Sequence, residues 1–551
     1  MMWGRGTRSQ ARPRLALQEL EERIAPSGNV VITSVGGTVF LTGDAGDNEF
    51  TLLNAPNDPD ELVIIPGVGT TLNSGHGTIG FPGTTAVRMN LGDGDDSVVL
   101  NGLTLIKDVV VDMGAGTNSL VVTNASSIGG SLTVKSASAS SADSLVINDS
   151  AVAHNVSITT KTGGQTVSIL GSDIGGNVSM KIQHLDGDGD DTILNSTIGG
   201  KVSLAIAQGY HVLGSDPGDS IPFNITASQV GSVAVQAKGG DYAFNFVGSQ
   251  TSEAKHGSIN VNYGAGDSYT YIGGASTIYG SVSVKTGSSY SWLDQLLGVV
   301  WDTEFTLEGD SVVNGKLAVT NLDSDDTVTV ETSDVLQGVS INNGTGDATI
   351  TLLGGIIGRS GDKTFASKIT TGANGFGYPD DTVTLTFDEV RTGPLALSFG
   401  PQSATLGMHD LDVTGNLSLT TGANDDFVQF NNLSVTKNTT IKTGFGDDTL
   451  TITEHNSPLG ALSIDTGAGN DSMSFDGGTG DGSSDYYGKV QVLLGTGDDS
   501  MSVGDVHIGG NAGRYHAAVK FDGGAGTDSI VYMNAENTFD LLPVILFENK
   551  T

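Results

Sequence analysis

Short bursts of period-two alternation run through most of the chain, and glycine and aspartate close each burst. Alternation puts apolar side chains on one face of a strand, and the glycines mark the turns. One turn-plus-strand recurs: Leu91–Val99 (LGDGDDSVV), Thr443–Thr451 (TGFGDDTLT), Thr466–Ser474 (TGAGNDSMS), Leu494–Ser502 (LGTGDDSMS) and Gly523–Val531 (GGAGTDSIV). Asp186–Leu194 (DGDGDDTIL) and Thr421–Gln429 (TGANDDFVQ) follow it closely. Met113–Val121, Tyr263–Tyr271, Leu322–Val330 and Asn343–Thr351 are weaker copies. A second half-unit alternates with the first, as in Ile128–Val134 (IGGSLTV), Ile174–Met180 (IGGNVSM) and Ile198–Leu204 (IGGKVSL).

Together the halves make one unit: glycine turn, short strand, Asp-rich turn, short strand. Asp426, Asp448, Asp471, Asp499 and Asp528 are spaced by 22, 23, 28 and 29 residues. A period in the twenties with two strands per unit predicts an all-β fold, a parallel β-helix or β-solenoid of about 16–18 coils. At roughly 4.8 Å per coil the rod is about 80 Å long. Val98, Ile193, Val428, Leu450, Met473, Met501 and Ile530 each follow a turn aspartate by two residues and are expected to line one core column.

Four regions follow from breaks in this rhythm. Residues 1–28 are basic and then amphipathic, with Leu17, Leu20 and Ile24 at helical spacing, and predict a short N-terminal helical segment. Residues 29–90 form a β-rich starting segment, residues 91–535 carry the repeats, and residues 536–551 end the chain. Within the last region Phe539–Phe547 (FDLLPVILF) is expected to cap the open strand edge. The stretch from Ser289, with Trp292 and Trp301, predicts a side loop or short helix.

Composition narrows the function. Glycine contributes 80 of 551 residues and cysteine none, so disulfides and thiolate chemistry are excluded. The net charge is −37, which argues against nucleic acid as a partner. Asp outnumbers Glu 49 to 13, a bias toward turns and toward a common calcium ligand. No stretch of 18 apolar residues is present, so no transmembrane helix is expected. No nucleophile elbow, metalloprotease helix or phosphate loop appears, and basic residues for a polysaccharide lyase are sparse, so a non-enzymatic role is expected.

The turn resembles the glycine-rich nonapeptide of repeats-in-toxin (hemolysin-type) proteins, and Gly523–Val531 matches every fixed position. That resemblance implies calcium (Ca²⁺) held between stacked turns. Glycines let carbonyls converge, the sixth-position Asp adds a carboxylate, and calcium takes six to eight oxygens. The implied ligating residues are Asp96, Asp191, Asp426, Gly444, Gly446, Asp448, Gly467, Gly469, Asp471, Gly495, Gly497, Asp499, Gly524, Gly526 and Asp528. This chain departs from the family in having one such turn per coil, and position six is Asn118 in one copy and Ser268 in another. The competing reading is that these are solvated turn residues. The nine histidines show no ligand spacing, so no second metal is expected.

Leu17–Pro26 resembles the Leu-Glu-x-Arg segment that opens many large repeat-rich surface proteins of bacteria. It implies export or envelope association. Together with the repeats, the expected protein is an extracellular or cell-surface structural or adhesive one, with polysaccharide or another envelope protein as further partners. A different class is a carbohydrate-binding or polysaccharide-degrading β-helix. That class needs an exposed aromatic groove, for which Tyr242, Phe244, Phe246, Tyr263, Tyr269, Tyr271, Tyr290 and Trp292 are the candidates. Their alternation along strands argues for core packing instead.

Overall fold

The computed structural model describes residues 28–550, outside the segments 138–142, 162–165, 184–190, 208–220, 239–241, 249–255, 265, 288–301, 322–324, 373–380, 457–459, 477–484, 505–513 and 533–537. The expected N-terminal helix and the stretch with Trp292 and Trp301 lie outside the described residues. No helix occurs among the described residues, and the architecture is an all-β parallel β-solenoid.

A regular coil shows how the alternation becomes structure. Ala86–Asn90 leads through the glycine turn into Ser97–Asn101, and a corner at Gly102 leads into Thr104–Leu105. Val109–Asp112 then begins the next coil in parallel register, Val109 beside Val87. Val98 and Leu100 point inward and are fully buried, whereas Ser97 and Val99 between them are half-buried. Each such Val, Leu or Ile contributes about 1.5–3 kcal/mol of transfer free energy. No strand this short is stable alone, and stacking supplies the missing backbone hydrogen bonds.

One core column can be followed through the stack. It runs Phe50, Val98, Leu120, Leu145, Val167, Asp191, Phe223, Phe244, Thr270 and Phe305. It continues Val328, Ile350, Leu385, Leu406, Val428, Leu450, Met473, Met501 and Ile530. Six of the seven expected column members are in it. Ile193 is not. It pairs with Ile169 and Ile225 two residues further along the strand, because Asp191 has taken the place of the first apolar residue. The column also passes through the coil of Leu406, which carries no Gly-x-Gly-x-Asp turn. The solenoid has about 15 turns, fewer than the 16–18 expected from the motifs.

The two ends differ. At the N-terminal end Gly28–Val35 pairs antiparallel with Thr38–Thr42, and Asp58–Pro66 pairs antiparallel with Glu49–Ala55, so hairpins cover the first coil. At the C-terminal end Val544–Leu546 and Asn549–Lys550 add a last parallel rung. Within the expected cap Phe547 is buried, but Leu541, Leu542, Val544 and Leu546 are exposed. This segment extends the stack as a further parallel rung.

Candidate functional site

The glycine turns are built by close stacking of backbone. Gly467 has a φ of +102°, and a Cβ there would lie 1.8 Å from the carbonyl oxygen of Gly444 one coil below. Gly444, Gly446, Gly469, Gly495, Gly497, Gly524 and Gly526 likewise have positive φ. Only glycine meets both demands. The stacked turns then bond to one another: Gly469 N–H donates to the Thr496 carbonyl at 2.9 Å, and Thr496 N–H donates to the Gly467 carbonyl at 2.9 Å. Turn carbonyls in these coils therefore serve the neighbouring coil.

The sixth-position aspartates turn inward. They have the same strand parity as the apolar column, and Asp448 is 1% exposed. Their backbone N–H groups form a ladder directed toward the C-terminus. Asp426 donates to Oδ1 of Asp448 at 2.9 Å, Asp448 to Asp471 at 2.9 Å, Asp471 to Asp499 at 2.8 Å and Asp499 to Asp528 at 3.0 Å. Ala404 N–H begins this run on Asp426, and Glu548 ends it. An N-terminal run has the same design: Asn48 N–H donates to Asp96, Asp96 N–H to Asn118, and Asn118 N–H to Asp143. Asp143, a buried member of this ladder, stands in no glycine turn and was not singled out from the sequence.

Each ladder carboxylate thus uses Oδ1. The second oxygen of Asp96, Asp426, Asp448, Asp471, Asp499 and Asp528 is buried and has no hydrogen-bond partner. Beside three of them lies a threonine column whose hydroxyls donate elsewhere: Thr421 to the Thr443 carbonyl at 2.8 Å, Thr443 to Thr466 at 2.9 Å and Thr466 to Leu494 at 2.8 Å. The Thr443 hydroxyl also lies close to the Asp448 carboxyl. That hydroxyl has one proton for two acceptors, the Thr466 carbonyl and the Asp448 carboxyl, so the carboxyl is incompletely served. Burial is the main cause that pushes these carboxyls up, to about 7 at Asp448 and about 6 at Asp96, Asp426 and Asp499. It raises Asp471 and Asp528 as well. A proton on Oδ2 would complete the network by donating to the threonine oxygen.

A second, solvent-facing row runs in the opposite direction, one residue earlier in each turn. Asp447 N–H donates to Oδ1 of Asp425 at 2.7 Å, Asn470 N–H to Asp447 at 2.7 Å, Asp498 N–H to Asn470 at 2.9 Å and Thr527 N–H to Asp498 at 2.8 Å. Two columns of carboxyl and carboxamide groups therefore line one edge, the inner buried and the outer exposed.

Asp191 is the exception among the expected ligands. Its Oδ1 accepts from Val167 N–H at 2.9 Å, but it sits in the apolar column rather than with Asp96 and Asp426. For calcium the fit is partial. Free carboxylate oxygens recur on successive coils, as the resemblance implies, whereas the turn carbonyls are engaged between coils. Two stacked inner carboxyls fall short of six to eight oxygens, so water and the outer row would have to complete a shell.

The opposite corner carries a neutral ladder that the sequence reading missed. Ser150 N–H donates to Oγ of Ser172, Ser172 N–H to Ser196 and Ser196 N–H to Ser228, each at 3.1 Å. The same hydroxyls donate to carbonyls of their own corner, Ser172 to Leu170 at 2.8 Å and Ser196 to Leu194 at 2.9 Å. The residue before the serine is left-handed, as at Asp149, Gly171 and Asn195. Further along this corner the coil period brings His409 Nδ1 to 2.9 Å from Asp388 and 3.0 Å from Asp410, a histidine–carboxylate cluster that linear spacing does not display.

Of the candidate groove aromatics, Tyr242, Phe244, Phe246 and Tyr263 are buried in the core. Tyr269 and Tyr271 face outward and stack on each other at 6.5 Å. Tyr290 and Trp292 lie outside the described residues. No family model, no curated protein and no solved structure matches this chain.

Proposed function

We propose that the chain is a non-enzymatic structural or adhesive rod of a bacterial cell surface, and that calcium binds along its carboxylate edge. Repetition is the observation that carries this reading. The strongly shifted carboxyls recur coil after coil in a line, which suits a structural device better than one reaction centre. Like charges stacked at about 4.8 Å repel, and a dication relieves that repulsion. Asp425, Asp447 and Asp498 would offer the solvent-facing oxygens, and Asp426, Asp448, Asp471, Asp499 and Asp528 the buried ones. Calcium would then stiffen the C-terminal coils, and its removal would soften them. Polysaccharide or another envelope protein would bind the resulting rod.

The test is a thermal melt of the full chain at pH 7.5 in EDTA, in calcium and in magnesium. A calcium-selective rise that grows with the logarithm of concentration is expected, because an ion that binds only the folded state stabilises it by mass action. A melting curve and hydrodynamic radius indifferent to calcium would remove calcium from the reading.

A further inference from the structure

The outer carboxylate row deepens into a hollow in the middle of the stack. A cavity of about 540 Å³ opens there, and Asp267, Asp302, Asp325 and Asp347, from successive coils of that row, all line it. Its volume falls within the roughly 300–1,000 Å³ of small-molecule sites. Such sites are mostly apolar, and this one is acidic. Glu304 adds another carboxyl, and among the described residues no lysine, arginine or histidine lines the cavity. Backbone groups orient the row: Asp302 N–H donates to Asp267 at 2.9 Å, and Asp347 N–H donates to Asp325 at 3.0 Å.

Two further wall residues separate this hollow from the rest of the acidic edge. Ser268 stands in the inner column where the C-terminal coils have aspartate. It is 5% exposed, and its hydroxyl has no hydrogen-bond partner. Tyr269 brings an aromatic ring to the wall, braced by its stack on Tyr271, whose hydroxyl donates to Glu308 at 2.6 Å. Burial raises the carboxyls of Asp302 and Asp325, and the charges of Asp347, Asp302 and Asp381 raise Asp325 further. The hollow thus concentrates negative charge.

We infer that this hollow binds a small organic polycation of the alkylpolyamine class. Carboxylates that repeat once per coil, about every 4.8 Å, suit ammonium groups separated by a few methylenes. The methylenes would lie against Tyr269, where an aromatic face also attracts the cation. The buried Ser268 hydroxyl would accept from one ammonium. A bare divalent ion would fill little of the volume and make no use of the ring. This site lies on coils other than those proposed for calcium, so it stands apart from that reading.

The test is calorimetric titration of the full chain with spermidine at about 0.15 M salt, where surface charges are largely screened. One saturable site is expected. The double variant Asp302→Asn, Asp325→Asn should weaken it about tenfold or more, and Tyr269→Ser should weaken it severalfold. The control Asp447→Asn, Asp498→Asn removes the same charge from the same row elsewhere and should leave the site intact. These side chains are at least partly exposed, and melting curves of the variants verify folding. Uptake at many weak equivalent sites, reduced equally by both double variants, would overturn the inference. So would a site that calcium fills and spermidine does not.

Discussion

The serine corner and the aspartate turn of each coil meet the same need with different chemistry. In both, a backbone N–H at a bend would be buried without a partner, and in both a side-chain oxygen from the next coil accepts it. At the serine corner the hydroxyl then donates its own proton to a carbonyl, so every group is paired and neutral. At the aspartate turn the acceptor is a carboxylate, which has no proton to donate, and its second oxygen is left buried and unpartnered. The serine ladder is complete as built. The aspartate ladder would be completed by a proton or a cation, which is why the proposed response to pH and calcium is assigned to that edge.

The largest effect that separates the two edges is expected at glycine. Gly467→Val places a β-branched residue at φ +102° and its Cβ against stacked backbone. Strain and overpacking together should cost about 4 kcal/mol, read by chemical denaturation. At the serine corner Gly171→Asn should cost less than about 1 kcal/mol, because Asn tolerates its φ of +55° and Asn195 already adopts the same conformation.

Next comes the ladder itself. Asp448→Leu leaves the Asp426 N–H buried and unpaired and should cost about 1–3 kcal/mol. Asp448→Asn should instead stabilise the protein at pH 8, because a carboxamide keeps the acceptor and can donate toward Thr443. Asn48 and Asn118 already serve in the N-terminal ladder. Ser172→Ala leaves the Ser150 N–H unpaired and should cost about 1–2 kcal/mol, equally at pH 5 and pH 8. The smallest effect belongs to the exposed row: Asp447→Asn should change stability by less than about 0.5 kcal/mol while reducing the calcium-dependent rise in melting temperature.

Much of this was legible in the sequence. Alternation and glycine spacing located the strands, the turns and the column from Val428 to Ile530. The inward course of the turn aspartates was legible as well, since Asp448 and Leu450 share strand parity, yet the expectation of solvated or calcium-facing carboxylates overlooked it. Asp191 could not be read from its motif, because a shift of two residues in register moves it into the apolar column without changing the local pattern. The serine ladder was hidden because serine is common in loops and only the stacking gives its position meaning. Tyr269 and the row from Asp267 to Asp347 come together through coils of unequal length, which no local pattern encodes.

The inner aspartates, with one buried oxygen left over, suit the fold as neutral acids and are strained in it as anions. Burial pushes their folded pKa values up to about 6 to 7, above the ordinary carboxylate value of 3.8, so their contribution is complete below about pH 4 and is lost as pH rises through 6 to 7. The direct measurement is the melting temperature from pH 4.5 to pH 8 in EDTA, for the native chain and for Asp426→Asn, Asp448→Asn, Asp499→Asn combined. The native chain should lose stability across that range, and the triple variant should lose distinctly less and be the more stable of the two at pH 8. Parallel curves for the two proteins, or a native chain that gains stability as pH rises, would contradict the account.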